Sequence, residues 1–590
     1  MTILFNPLLL IALLIGESAS AREVLVFGGS ERPWQEWGTV RAIDLASRPG
    51  WLQPERISPD ENLSLRALAE GGNIDSPQPS VRGLADPQTG LGALIDGKIA
   101  TIFPIEHSRQ IGGRIILDLG RVFSGVYQVS FYPRIEQGDR FLRGYELYVS
   151  DESDPLRGDP VWDLAARTTR NEREVVTVDI APRYVRWVML IFTSPLPWEI
   201  AELEVYGQGF SPQAVYTSNV IDLGGLATLG ALTWAAETDA GGAVEVTTRS
   251  GSTPDPYLYY RRRGATLEEV SKDQYDNLRE NQQVKRPDLA NWSSWSPPHT
   301  TSGSRIRSPA PRRYFQFAVE LVSNRFAAAV QMDSLAFEIS SPPPAHEVVA
   351  EIEPQFVIAG ETTPFTYHMR PRILDDDAGF DAVELSTPTR ARLSELTVGG
   401  MPIEDFTWEA TDSLLTVRFP NHPVVKDGVL VELKFAAKVI EFGTLFSSRV
   451  FASQSAELAQ DVLPGDASID LNTNHFSVEL ELDSTILGGL AIAPNPFTPN
   501  GDSLNDRMRI QYSIFKLVQP VSVEAAIYDL AGRRVRALFN GMQSSGFHAV
   551  EWDGRASEGS LAAPGLYVCR ISVDSAMGAN ARAVPVALVY

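Results

Sequence analysis

The sequence predicts an all-β chain of tandem β-sandwiches, and three observations carry that expectation. Short segments that alternate apolar and polar residues recur throughout the 590 residues, and Gly, Pro, Asp and Ser punctuate them, as expected of half-buried strands joined by turns. Long helical patterns are scarce, so a mixed layer architecture is not indicated. Removing an N-terminal leader of 21 residues from 590 leaves 569, which at about 150 residues per domain gives around four domains.

The leader is read from residues 8–15, an unbroken apolar run too short to cross a bilayer, followed by Ala19-Ser20-Ala21, a small-x-small cleavage pattern. Residues 1–21 are therefore expected to be a signal peptide, although no Lys or Arg precedes the apolar run. An uncleaved anchor is the alternative, disfavoured by Glu17 and the small polar residues after it. No other stretch approaches the roughly 18 apolar residues of a span. The expected product is secreted or held at the cell surface, periplasmic or outer-membrane associated, with no integral span after cleavage.

The first domain is expected over residues 22–210. Ala93-Leu94-Ile95-Asp96-Gly97-Lys98-Ile99-Ala100-Thr101 is followed in order by Ile115-Ile116-Leu117-Asp118-Leu119-Gly120, Tyr145-Glu146-Leu147-Tyr148-Val149-Ser150-Asp151, Arg183-Tyr184-Val185-Arg186-Trp187-Val188 and Ile200-Ala201-Glu202-Leu203-Glu204-Val205-Tyr206-Gly207. This series resembles the discoidin, or coagulation-factor C-type, domain, with Phe103 where that family carries Trp. The resemblance implies a jelly-roll sandwich, also described as galactose-binding-like, whose end loops engage glycans, phospholipid head groups or proteins. It also implies a calcium ion near the Asp-Gly turn in some members, which makes Asp96 and Thr101 metal candidates; the alternative is that Asp96 caps a turn and Thr101 satisfies the backbone. Sugar binding commonly uses an exposed aromatic ring, so Trp34, Trp37, Trp51 and Trp198 are the ligand-contact candidates, with core packing as the competing reading of each.

Two central modules follow. Residues 211–342 contain Val244-Glu245-Val246-Thr247-Thr248-Arg249-Ser250-Gly251, Trp292-Ser293-Ser294-Trp295-Ser296 and Arg312-Arg313-Tyr314-Phe315-Gln316-Phe317, which resemble a β-sandwich module of exported bacterial proteins. Arg249 and Arg313 are expected to pair with carboxylates on neighbouring strands. Pro342-Pro343-Pro344 reads as a linker. Residues 343–483 read as another sandwich, in which Asp375-Asp376-Asp377 with Gly379 and Asp381 form either a cation cluster or, more simply, a solvated loop.

Residues 484–590 open on Asn495-Pro496-Phe497-Thr498-Pro499-Asn500-Gly501-Asp502 and close on Glu551-Trp552-Asp553-Gly554 and Pro564-Gly565-Leu566-Tyr567. They resemble the immunoglobulin-like domain related to the flagellar hook-capping protein, which implies attachment or sorting rather than catalysis. Residues 523–530 alternate as a strand and Ala531-Gly532 turns the chain into the next. Trp552 and Tyr567 are expected in the core. Asn500, Asp502, Asn505 and Asp506 offer oxygens for calcium, or bond their own turn. Calcium is thus the candidate cofactor at both ends of the chain.

Composition narrows the function. Lys and Arg number 51 against 74 Asp and Glu, a net charge of -23, so nucleic acid is not an expected partner. Cys569 stands alone and is read as a core residue. The seven His, including His107, show neither HxH nor HExxH spacing, and GxSxG and phosphate-loop motifs are absent. The expectation is a non-catalytic binding or adhesion protein that recognises an extracellular polysaccharide or surface glycan through its first domain. A purely structural role, with surface proteins as partners, is the first alternative; an accessory part of a carbohydrate-active enzyme, or such an enzyme itself, is the second.

Overall fold

The computed structural model describes residues 21–76, 90–105, 111–151, 160–481, 486–502, 504–517, 519–575 and 578–589. Residues 1–20 of the expected signal peptide lie outside this set, as does His107. Among the described residues no helix is long and apolar enough to cross a membrane. The fold is all-β, in tandem sandwiches.

The first module is centred on an antiparallel sheet in the spatial order Asp163–Thr168, Tyr145–Ser150, Val176–Phe192, Arg114–Tyr132, Glu202–Tyr206, with Asn73–Asp75 also paired to Arg114–Tyr132. Alternation does the sorting: Ile115, Leu117 and Leu119 point inward from one strand, Val188, Leu190 and Phe192 from its partner, and they share one core with Leu147 and Trp198. The two long strands slip register between Asp179 and Arg183, Arg183 and Val185, and Val185 and Trp187. Such bulges bend a strand and let the sheet curl over its core.

The sheet topology departs from the expected first boundary. Residues 21–41 belong to the second module, whose strand order is Ala21–Phe27, Val330–Ser341, Ile221–Thr238, Arg312–Ser323, Gln213–Ser218, Gly38–Arg41. The N-terminal segment thus supplies the strand at each end of that order, and the first module is inserted in the chain between Gly38–Arg41 and Gln213–Ser218. Phe27 packs on Phe317 and Phe337 at 5.1 and 5.9 Å between ring centroids. Trp34 lies edge-on to Tyr216 at 4.9 Å, and its indole N–H donates to the Asp333 carbonyl at 3.1 Å. Gly28, between them, has φ +88°, and a Cβ there would collide with the Asp333 carbonyl oxygen, so this crossing admits only glycine.

A buried charge network ties the inserted module to its host. Arg121, 6% exposed, donates to Glu55 at 2.7 Å and to the Ser211 hydroxyl at 2.9 Å, and pairs with Glu70 at 3.0 Å. Arg66 reaches the same two carboxylates, each at 2.7 Å. Both modules lie in one compact unit, Val24–Gly224 with Ala231–Glu338.

The third module stacks two sheets. One runs Met401–Ile403, Arg392–Val398, Val431–Lys438, Thr362–Arg372, Glu347–Glu353, Leu463–Pro464; the other runs Thr407–Ala410, Leu414–Arg418, Ala382–Ser386, Ser448–Phe451, Gln460–Asp461. Val431–Lys438 alternates without exception between buried and half-buried positions, and Phe365, Tyr367, Phe435 and Phe446 fill the space between the layers. The proline segment is not a free linker: the Pro343 and Pro344 carbonyls accept the Ala378 and Gly379 N–H groups at 3.0 and 2.9 Å.

The C-terminal domain pairs a three-stranded sheet, Leu487–Ala493, Met508–Ile514, Gly546–Trp552, with a four-stranded one, Arg534–Gln543, Val521–Tyr528, Gly565–Ser575, Gly578–Leu588. Trp552 sits between Phe497 and Tyr567 at 5.1 and 5.3 Å, its N–H bonded to the Arg555 carbonyl at 3.0 Å. The hairpin at Ala531-Gly532 forms where expected, with Gly532 at φ +78° and Asp529 Oδ1 accepting the Ala531 and Arg533 N–H groups. Cys569 is fully buried, and burial pushes its thiol up to about 12, which removes it as a nucleophile at neutral pH.

Candidate functional site

Three loops of the first module meet at one end of its sheet. Asn171 is buried and joins two of them: its amide donates to the Leu142 and Arg173 carbonyls at 2.9 and 2.8 Å, and its backbone N–H donates to the Arg143 carbonyl at 2.7 Å. Thr193 N–H to the Gly144 carbonyl, 2.9 Å, brings in the third. Arg134 projects from this cluster. Its Nε and a terminal nitrogen each donate to Glu199 at 3.0 Å, and Glu199 is 1% exposed while the arginine is 34% exposed. A buried carboxylate therefore fixes a guanidinium whose outer edge faces solvent, a pre-organised fork for hydroxyl or carboxylate oxygens. Farther along the same connection the Arg143 guanidinium lies 3.6 Å over the Phe141 ring.

Behind the loops lies the Asp-Gly turn. Asp96 accepts the Lys98 N–H at 2.9 Å and the Thr101 hydroxyl at 2.9 and 3.0 Å, so the two residues matched to the turn are in direct contact. The residue that sequence reasoning missed is Glu202. It is 1% exposed, and neither carboxylate oxygen has a hydrogen-bond partner; the Lys98 N–H that faces it is committed to Asp96. Burial first, and the Asp96 charge second, push the Glu202 carboxyl up to about 8. Two carboxylates and a hydroxyl form a hard oxygen donor set of the kind a divalent cation takes, with Asp96 and Thr101 bonded to each other and to Lys98 and the Glu202 oxygens left over.

As exposed stacking surfaces, Trp34 and Trp198 are corrected. Trp34 is wholly buried in the second module, and Trp198, 3% exposed, packs on Phe192 at 4.4 Å. Trp37 and Trp51 are half-buried, also outside the loop cluster: Trp37 meets Phe27 edge-on, and the Arg48 guanidinium covers Trp51 at 3.3 Å while bonding Glu237. Alternation marks large apolar residues but not the face they end on, because Trp34 follows Pro33 in a turn rather than in a strand.

The other oxygen clusters are spent on their own backbone. Asn500 Oδ1 accepts the Asp502 N–H at 3.1 Å, Asp502 Oδ1 the Leu504 N–H at 2.7 Å and Asp506 Oδ1 the Gly501 N–H at 2.7 Å. Asn505 occupies φ +58° and its carbonyl accepts the Thr498 N–H. Asp377 likewise takes the His346 and Leu374 N–H groups, both at 2.7 Å. Among the described residues no group of three or more His, Cys, Asp or Glu is gathered for a metal. Arg313 pairs with Asp222 at 2.9 and 2.8 Å as expected. Arg249 does not meet a carboxylate: it grips Gln316 Oε1 at 2.8 and 2.6 Å and stacks on Trp295 at 4.5 Å, because the residue opposite it in the ladder is Gln316.

The folds define a multi-sandwich chain with an immunoglobulin-like end. Residues 511–576 match the FlgD Ig-like domain. Similar solved structures include chitosan-binding module 1 of a chitosanase/glucanase from Paenibacillus sp. IK-5, at 18% identity over 25% of this chain and 99% of that one, TM-score 0.20. A family 32 carbohydrate-binding module of C. perfringens NanJ, solved with galactose, is 21% identical over 24% of this chain and 96% of that one, TM-score 0.19. A Streptococcus pneumoniae fucose-binding module is 14% identical over 25% and 97%, TM-score 0.19. No curated protein matches the chain.

Proposed function

We propose that this is a non-catalytic binding protein of the cell exterior whose first module recognises a glycan through the loop cluster around Arg134. The observation that carries the reading is the buried Glu199 carboxylate holding a part-exposed guanidinium just past the end of strand Arg114–Tyr132. Fixing a polar fork in advance lowers the cost of recognising hydroxyl-rich ligands. The similar modules named above carry chitosan, galactose and fucose in their names, and a glycan is the ligand class proposed for this chain. The C-terminal domain serves as the attachment or sorting element, and the expected leader sends the chain outward. On a glycan array with the full chain, Arg134→Ala is expected to lower retention by roughly tenfold. An unchanged signal, or a wild-type chain that no glycan retains, removes the reading; release of reducing sugar replaces it with an enzymatic one.

Calcium is proposed at Asp96, Thr101 and Glu202, where it would neutralise two carboxylates and stiffen the turn behind the loops. Calorimetry tests it. Without metal, a Glu202 carboxyl raised to about 8 from an ordinary 4.5 contributes stability fully below pH 4.5 and loses it as pH rises through 8. Calcium at a hundredfold excess over its dissociation constant is expected to restore about 2.7 kcal/mol. Glu202→Gln should abolish the calcium response and flatten the pH dependence, and a calcium shift that survives this substitution rules the site out.

A further inference from the structure

We propose that the groove between the third module and the C-terminal domain, which belong to one compact unit, is a second ligand site, for a carboxylate-bearing polysaccharide. The groove holds about 560 Å³. Its floor is the outward face of the three-stranded sheet: Met508, Ile510, Tyr512 and Ile514 turn into the core, leaving Arg509 and Gln511 on the surface beside Ala491 and Ala549. Gly488 and Gly489 keep one end of this floor flat. Phe515, buried against Gly360 and Gly488, closes the base, and the Lys516 N–H donates to the Ile440 carbonyl at 3.1 Å across the junction.

Three side chains lining the groove, Phe547, Lys438 and Arg509, meet no carboxylate or apolar core that accounts for them. Phe547 is 53% exposed on its strand, with Lys438 Nζ 5.6 Å from its ring centroid. Neither Lys438 nor Arg509 forms an ion pair among the described residues, although the chain carries an excess of acids; Glu551, opposite Arg509 in the ladder, pairs with Arg507 at 3.4 Å. Glu361 is the carboxylate in the lining. His548 is already engaged, bonding the Ser544 carbonyl at 2.9 Å and stacking on Tyr512.

An exposed ring with Lys438 beside it and Arg509 farther along the same groove suits a polysaccharide, one sugar stacking its apolar face on the ring while carboxylates along the chain meet Lys438 and Arg509. A peptide added as a strand needs unpaired backbone at a sheet edge, whereas the floor follows the central strand Met508–Ile514, paired on both sides. The site therefore favours an acidic polysaccharide lying across a sheet face.

Affinity electrophoresis of the full chain in gels containing polygalacturonate, neutral galactan or poly-glutamate tests this. Polygalacturonate is expected to retard the chain, less so as salt rises. Measured in an Arg134→Ala background, which removes the fork of the first module, Lys438→Gln with Arg509→Gln, and separately Phe547→Ala, should each weaken that binding by roughly tenfold or more, with unchanged melting temperature. The proposal is overturned if polygalacturonate does not retard the wild-type chain, or if either groove variant binds it as wild type does. Equal retardation by poly-glutamate that ignores Phe547→Ala also overturns it, and makes the groove a general anion or peptide surface.

Discussion

Deleting residues 21–44 is expected to unfold the second module while leaving the first folded. The segment contributes the strands at both ends of the second module's sheet order, and its Phe27 and Trp34 are wholly buried there. Replacing a single buried Phe or Trp with Ala costs about 3–5 kcal/mol. Losing both costs about 6–10 kcal/mol, and with two strands of ladder hydrogen bonds gone as well the loss is as large as the roughly 5–15 kcal/mol that holds a typical domain together. Limited proteolysis of the truncated chain should open residues 213–341 to cleavage while the core from Ile57 to Val205 stays protected. Trp34→Ala alone is the graded version, expected to lower stability by about 3–5 kcal/mol in urea. A truncated chain that melts like the full one would mean that the two strands are ornamental.

The second large effect is expected at Arg121. The side chain is buried over the Phe123 ring at 4.1 Å and answers both Glu55 and Glu70. Removing one member of a buried ion network leaves charge uncompensated, which costs about 3–5 kcal/mol, far more than an exposed pair. Arg121→Ala should therefore lower the stability of the first two modules by about that amount, measured by urea unfolding. The same network sets an acid limit. Burial raises the Glu70 carboxyl, but Arg121 and Arg66 outweigh it and hold the group below its ordinary 4.5. A depressed carboxylate contributes stability above pH 4.5 and loses it as pH falls further. Arg121→Ala should thus flatten the loss of stability on acidification, and an acid profile identical to wild type would place the dependence elsewhere.

Much of the architecture was legible because alternation fixes which side chains face inward. Residues 523–530 read as a strand ending in a turn, and Val521–Tyr528 is that strand. Alternation is silent on partners, however. Nothing in Ala21–Phe27 distinguishes pairing with the next strand in sequence from pairing with Val330–Ser341, and so the insertion of the first module was invisible. The site was half legible for a similar reason. Asp96 and Thr101 stand in a recognisable turn, but Glu202 opens a strand in which Glu204 is its same-face neighbour, and the pair reads as a solvated edge. Only the folded chain brings the turn against Glu202 and buries it. The loop arginines carry no periodic signal, and Arg134 gains its role from Glu199, 65 positions along the chain.

The insertion also orders events during synthesis. A chain emerging from its amino end completes the first module while Phe27 and Trp34 still await partners that have not been made, so an apolar ribbon must remain uncommitted until the strands from Gln213 onward arrive. Any helper that escorts this protein must therefore shield its earliest residues longest.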